Sequence, residues 1–522
     1  MHSTFPLILA MIAAIVLLEM LAAKLKIAYP ILLVISGLLI SLIPGLPVLK
    51  IDPDLIFLIF LPPLLSDAAW KISAKEMKKW WRIIGSFAFL VVFFTACSVA
   101  VVANQLIPGF SIALGFLLGG IVAPPDAVST SAITKFVNIP RSTSTILEGE
   151  SLLNDASSLI IFRFALIAVG TGQFFWQTAA ISFLWIVSGG IIVGLLCGYF
   201  FIQLHKRLSF DASSAIAFTI IEPYVMYWLA EELSCSGVLA VVSGGLLMSA
   251  KRLSFLKTTS RIQRMHVWES LIFILNGIVF LVIGLELPEI VEGLRNDGIP
   301  LRTAIGYGIL ITGVIVAARI ISSYVAMLAT MIFRPSVAPR SDNRLLIPVV
   351  LGWSGMRGVV SLAAALAIPV KMDTGIQFPQ RDLILFITFV VILLTLVVQG
   401  LTLPYFIERS GVFRLILSEE LPELTRQRIK EGMKIQVREY LDHRRDLHAN
   451  VPGLSGFVKL WEEKAQAATD KMHDDVKAVY MDLLEVQRQY LVEINKDPTL
   501  DEEIVRAHLY QIDLEEERVR LL

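Results

Sequence analysis

The sequence predicts an all-α polytopic membrane protein: about thirteen transmembrane helices, two six-helix halves related as inverted repeats with a discontinuous helix in each, and a helical cytoplasmic tail. Three observations lead there. Of 522 residues, 56% are hydrophobic and 17% charged, with a mean hydropathy of +0.71, whereas soluble domains are nearer a quarter charged. The charge is unevenly spread, because residues 411–522 hold 17 basic and 23 acidic side chains while residues 1–410 hold 28 and 22. Helix-breaking residues recur at matching places in the two halves. The expected domains are therefore a membrane body, 1–410, and a soluble tail, 411–522.

Stretches long enough to cross a hydrocarbon layer of ~30 Å as helices run in order over 5–23, 27–43, 54–70, 83–104, 111–134, 146–169, 176–204, 213–230, 236–250, 267–286, 303–332, 345–368 and 382–408. The first, MHSTFPLILAMIAAIVLLEM, has neither basic leader nor small-residue cleavage site, so it is expected to be retained as a spanning helix. Cytoplasmic loops of membrane proteins keep Lys and Arg. With the N-terminus outside, nineteen basic residues fall on inner loops, among them Lys71, Lys75, Lys78, Lys79, Arg82 and Arg264, against five on outer ones. That alternation sets the N-terminus outside and the tail in the cytoplasm. An odd number of spans then puts the two halves in opposite orientations, as in many secondary transporters. Pro124 and Pro125 interrupt the fifth span of the first half, and Gly352, Gly355 and Gly358 the fifth of the second. Irregular backbone is tolerated at that depth only beside protein groups or a cavity, so the breaks mark the expected site.

The net charge of zero, 45 basic against 45 acidic residues, gives no reason to expect nucleic acid as a partner. Cys97, Cys197 and Cys235 are too scattered for a metal site or a disulfide framework. No cofactor is expected. Ionisable residues inside spans are costly and so are functional candidates: Asp67, Asp126, Glu150, Asp155, Arg163, Glu222, Arg319 and Arg357. Ser151 and Asp155 lie one helical turn apart on one face, Glu150 and Asn154 on the next. With Asp126 and the carbonyls freed by the prolines they make a hard oxygen cluster suited to a small cation. Arg357, flanked by small residues, needs a carboxylate, and Glu150 is the expected partner in a buried ion pair joining the sixth and twelfth spans. Arg163 and Arg319 are read as bonding carbonyls or helix ends, Glu222 as satisfying backbone beside Pro223, and His205 and His266 as interfacial.

Five motifs, LPPLLSDAAW at 61–70, APPDAVSTSAI at 123–133, ILEGESLLNDASS at 146–158, ILNGIVFLVIGLELP at 274–288 and GWSGMRGVVSLAAALAIP at 352–369, occur in an order and spacing that resembles the bacterial sodium/proton antiporters of the monovalent cation:proton antiporter-1 family, relatives of the eukaryotic sodium/hydrogen exchangers. The resemblance covers residues 5–408. It implies a homodimer in the inner membrane of a bacterium, each protomer with a dimerisation part and a mobile core containing two crossed, unwound helices. It implies sodium binding at Asp155 with Asp126, Ser151, Asn154 and the carbonyl of Pro125, and it matches Glu150 and Arg357 to the family's structural ion pair. Asn154-Asp155 in place of two aspartates implies electroneutral exchange serving pH and sodium homeostasis. Asp67 stands where the family motif commonly has a glutamate, so a shorter carboxylate is asked to reach the ion.

The expected function is exchange of a monovalent cation for a proton across the lipid bilayer, with sodium the expected cation and potassium the alternative. A cation channel would use the same carboxylates but does not call for matched broken helices. An intramembrane aspartyl protease would place its aspartates in a Gly-x-Gly-Asp context, which neither Asp126 nor Asp155 has. In the tail, Trp461, Ala465, Ala468, Met472, Val476, Val479, Leu483, Val486 and Tyr490 form an apolar helical stripe, and Thr499 with Glu502 a capping box before a last helix.

Overall fold

In a computed structural model of the chain, the described residues are 4–410, except for 26, 42–52, 73, 127–140, 173–175, 209–210, 257, 334–343 and 373–374, together with a few positions between 481 and 515. The chain divides into two units, Met1–Glu419 and Glu420–Leu522. The stripe and capping box expected in the tail lie outside the described residues, as does 127–134 of the fifth expected span.

Helices occur in all thirteen predicted stretches. They are α1 (Thr4–Leu25), α2 (Tyr29–Ser41), α3 (Pro53–Lys71), α4 (Ala74–Ser86), which passes through a π-helical turn (Phe87–Val91) into α5 (Val92–Leu106), and α6 (Ile112–Val122). Then follow α7 (Arg141–Thr171), α8 (Trp176–Arg207), α9 (Ala212–Glu232), α10 (Gly237–Phe255), α11 (Thr258–Leu285), α12 (Leu287–Asn296), α13 (Leu301–Phe333), α14 (Ile347–Trp353), α15 (Val359–Leu366), α16 (Arg381–Leu394) and, after a second π-helical stretch (Thr395–Gln399), α17 (Gly400–Ser410). No β-strand occurs among the described residues. Six helices there are long and apolar enough to cross a membrane: Met77–Leu106, Ile146–Thr171, Ile181–Arg207, Gln263–Asn296, Leu301–Ala329 and Arg381–Arg409. Several of the others are shorter, and the twelfth expected span is divided between α14 and α15.

Two differences from the sequence reading have local causes. Residues 74–82, read as an inner loop, are helical, because Met77, Trp80 and Ile84 recur at helical spacing and give one face to bury. The linker after the tenth span contains a further helix, α12, with Pro288 in its first turn and Ile290 and Leu294 on its buried side.

Two clusters of buried side chains form the core. The larger joins α6 (Leu117, Leu118, Ile121, Val122), α11 (Phe280, Leu281, Ile283) and α16 (Ile384, Phe386, Phe389). The smaller joins α3 (Leu61, Leu65, Trp70), α8 (Phe201, Ile202), α9 (Met226) and α10 (Val241, Val242, Met248). Without a hydrophobic force between helices in lipid, close approach depends on small residues. Gly115 and Gly119 of α6 face Ala100 and Ala96 of α5, and a Cβ on either glycine would come within 2.8 Å of the opposing Cα. This contact holds α6 upright to the point where it breaks. Gly119→Val is expected to force the two helices apart and to cost about 1–3 kcal/mol, read as a lower midpoint in thermal unfolding of the detergent-solubilised protein, with Val101→Ala on the exposed side of α5 as the near-neutral control.

Candidate functional site

The site is built on the carbonyls that the end of α6 leaves without donors. Proline has no N–H, so Pro124 cannot serve the carbonyl four residues back. That carbonyl, Gly120 O, accepts instead from the Ser158 hydroxyl of α7. The amide of Asp126 turns away and donates to Met356 O at 2.7 Å, leaving Val122 O to be met by Arg357 Nε at 2.8 Å. A second nitrogen of the same guanidinium lies 3.3 Å from Ala123 O. Pro125 O accepts from Ser151 Oγ at 3.0 Å, with Asn154 Nδ2 at 3.5 Å.

The second break meets the first at this point. α14 ends at Trp353 and α15 begins at Val359, so Gly352, expected to lie in the break, is helical and packs on Ile320. Between them Arg357 is fully buried. Its amide donates to Thr395 Oγ1 at 3.1 Å and its guanidinium also donates to Gly355 O. Gly358 lies directly against the Asp126 carboxylate, where any side chain would collide.

α7 presents Ser151, Asn154 and Asp155 to this junction. Asp155 is buried and forms no ion pair among the described residues, and Asp126 is near enough to act on it electrostatically. Asn154 is fully buried and its Oδ1 has no hydrogen-bond donor among the described residues. An acceptor in that position carries a desolvation cost of roughly 1–3 kcal/mol unless a donor or cation reaches it. No group of three or more His, Cys, Asp or Glu that would hold a metal occurs among the described residues; the junction offers hydroxyl, amide, carbonyl and carboxylate oxygens, a set for a hard monovalent ion or a proton.

The expected Glu150–Arg357 pair is corrected by the geometry. Glu150 is paired with Arg319 of α13, Nη1 to Oε1 at 2.8 Å and Nη2 to Oε2 at 3.0 Å, and Gly355 leaves the space that the Arg319 guanidinium fills. Arg357 is engaged by the carbonyls of both breaks, which present more acceptors to its planar fork than one carboxylate does. Asp67, expected at the ion, pairs with Lys71 one turn along α3 and acts electrostatically on Arg264.

Other expectations also change. His205, in the last turn of α8, is buried against protein groups, its Nε2 2.7 Å from Glu222 Oε1, so Glu222 has a side-chain partner as well as a place beside Pro223. Arg264, counted with the inner loops, is buried with its guanidinium over the rings of Trp70 and Trp268 at 3.6 and 4.7 Å. Arg163 pairs with Glu231. The roles missed from sequence were those of Arg319, Thr395 and Ser158. Arg319 had been singled out as a deep charge, but its 169-residue separation from Glu150 gave no means of choosing it over Arg357.

Comparison with known proteins adds an independent line. The family model "Sodium/hydrogen exchanger, transmembrane" matches residues 8–409. A Mycobacterium tuberculosis protein named an uncharacterised Na+/H+ exchanger is 30% identical over 98% of this chain and 95% of its own length. The sodium, potassium, lithium and rubidium/H+ antiporter of Bacillus subtilis is 28% identical over 94% of this chain and 76% of that protein. The Na+/H+ antiporter NhaH of Halobacillus dabanensis is 31% identical over 79% and 99%. In fold, the sodium proton antiporter MjNhaP1 of Methanocaldococcus jannaschii matches with a TM-score of 0.60 at 18% identity, covering 77% of this chain and 97% of that one.

Removing one partner of a buried pair leaves the other charge uncompensated, at a cost of about 3–5 kcal/mol. Glu150→Gln is expected to lose that much in detergent unfolding. Adding Arg319→Gln is expected to restore most of it, and adding Arg357→Gln to deepen the loss, because the carbonyls of Val122 and Ala123 then lose their donor. Rescue by the Arg357 change and not by the Arg319 change would reverse the assignment.

Proposed function

The chain belongs to the sodium/hydrogen exchanger family, and from that premise we propose that it exchanges sodium for protons across a membrane by competition at one carboxylate, Asp155. The observation that carries the proposal is the oxygen-lined junction of the two breaks, where Asp155 has no basic partner among the described residues while Glu150, five residues earlier, has one. A sodium ion there would draw on the Asp155 carboxylate, Ser151 Oγ, Asn154 Oδ1 and Asp126, with the Pro125 carbonyl alongside. A proton on Asp155 removes the charge that holds the ion. The two cargoes therefore exclude one another, and their fluxes are coupled without a separate recognition step for each.

Movement is proposed as alternating access, with the bundle around the breaks shifting past the rest so that the same site faces either side. One charge out for one charge in makes the cycle electroneutral, consistent with Asn154 standing beside a single aspartate. The protein is a transporter and not an enzyme. Its proposed setting is a homodimer in a bacterial inner membrane, with thirteen spans in two inverted halves, the N-terminus outside and the tail in the cytoplasm. Asp67, held by Lys71, is left outside the proposed coordination sphere. Potassium is the second reading for the cation, favoured by the relative named for sodium, potassium, lithium and rubidium.

Asp155→Asn is expected to abolish cation-dependent proton movement in proteoliposomes while leaving the unfolding midpoint of the solubilised protein intact. Exchange that persists would refute the central assignment. In the unmodified protein, sodium is expected to drive proton flux at a rate indifferent to an imposed membrane potential; flux driven by potassium but not sodium would move the reading to a potassium/proton antiporter, and a potential-dependent rate would remove electroneutrality.

A further inference from the structure

α4, the π-helical turn after it and α5 run without interruption for 33 residues, or about 50 Å at 1.5 Å per residue. The hydrocarbon layer takes ~30 Å of this, and the uncharged part of the run begins only after Arg82. The length therefore sets α4 at the height of the lipid headgroups.

At that height the helix has three faces. Ile84 is fully buried and Met77 packs on the smaller core cluster. Lys78, Lys79 and Arg82 are exposed on the opposite side, and among the described residues none of the three has a carboxylate partner. Between the two faces stands Trp81, 61% exposed, with the Arg82 guanidinium 5.5 Å from its ring centroid. Cations beside an outward-facing indole at headgroup depth match the chemistry of an anionic phospholipid: phosphate for the cations, glycerol and upper acyl chain for the ring. An acidic soluble partner would leave the indole without that apolar setting.

We propose that Lys78, Lys79, Trp81 and Arg82 form a binding site for an anionic phospholipid of the adjacent leaflet. The site has a direct path to the exchange machinery, because Ile84 packs against Gly149 of α7 so closely that a Cβ there would come within 2.8 Å of it. Gly149 is followed by Glu150 and, further along the same helix, by Asp155.

The test uses the full chain in phosphatidylcholine vesicles with and without phosphatidylglycerol, each lipid supplied in turn with brominated acyl chains that quench tryptophan fluorescence. Brominated phosphatidylglycerol is expected to quench more than brominated phosphatidylcholine at equal mole fraction. The excess is expected to vanish in Trp81→Phe, and to need about fivefold more phosphatidylglycerol for each of Lys78→Gln, Lys79→Gln and Arg82→Gln. Equal quenching by the two lipids in the unmodified protein, or an excess unchanged in Trp81→Phe and in the triple charge variant, would overturn the proposal. Quenching does not depend on which cation is carried, so its failure would leave the transport reading standing.

Discussion

A backbone carbonyl without a donor costs several kcal/mol at membrane depth, and the end of α6 beside the break between α14 and α15 creates several at once. Arg357 is what makes the arrangement tenable. Its guanidinium reaches the carbonyls of Val122, Ala123 and Gly355, and its amide is held by Thr395. One fully buried residue thereby ties α6, the stretch between α14 and α15, and the helix of Thr395 to a single point, its side chain holding the first two and its amide the third. The Asp126–Met356 backbone bond and the contact of Gly358 with Asp126 follow from that closeness. So does the freedom of the Pro125 carbonyl to face α7.

Charge is divided within α7 by what each carboxylate can reach. Glu150 meets a guanidinium in a two-pronged contact and is fixed. Asp155, just over a turn further on, is buried without an ion pair among the described residues. A buried carboxylate without a basic partner favours a proton or a cation, the pair of alternatives on which the proposed exchange turns. The same helix is thus anchored by one acid and, in the proposed cycle, made available to cargo by the other.

The end of α6 and the second break were legible because Pro124-Pro125 and the pair Gly355 and Gly358 disfavour helix, although Gly352 stays helical, and the oxygen cluster was legible because Ser151, Asn154 and Asp155 share adjoining faces of one helix. Both are local facts. The partner of Glu150 was not local: two deep arginines were available, and family resemblance favoured Arg357 where the carbonyl geometry assigns Arg319. The partner of His205 was not local either: a histidine at a predicted helix end gives no sign of the buried acid, Glu222, that meets it from another helix.

By itself, then, the sequence determined an all-helical membrane body, the positions of its two interruptions, and a hard-oxygen set on α7, because hydropathy, proline and helical periodicity act within a few turns of chain. Only the tertiary structure decided that the interruptions touch, that Arg357 serves backbone and Arg319 serves Glu150, and that Ile84, just after the basic stretch, lies against Gly149. Those outcomes depend on which donor reaches which acceptor across many residues of chain, and a guanidinium with several reachable acceptors is settled by geometry at the junction and by nothing in its own neighbourhood.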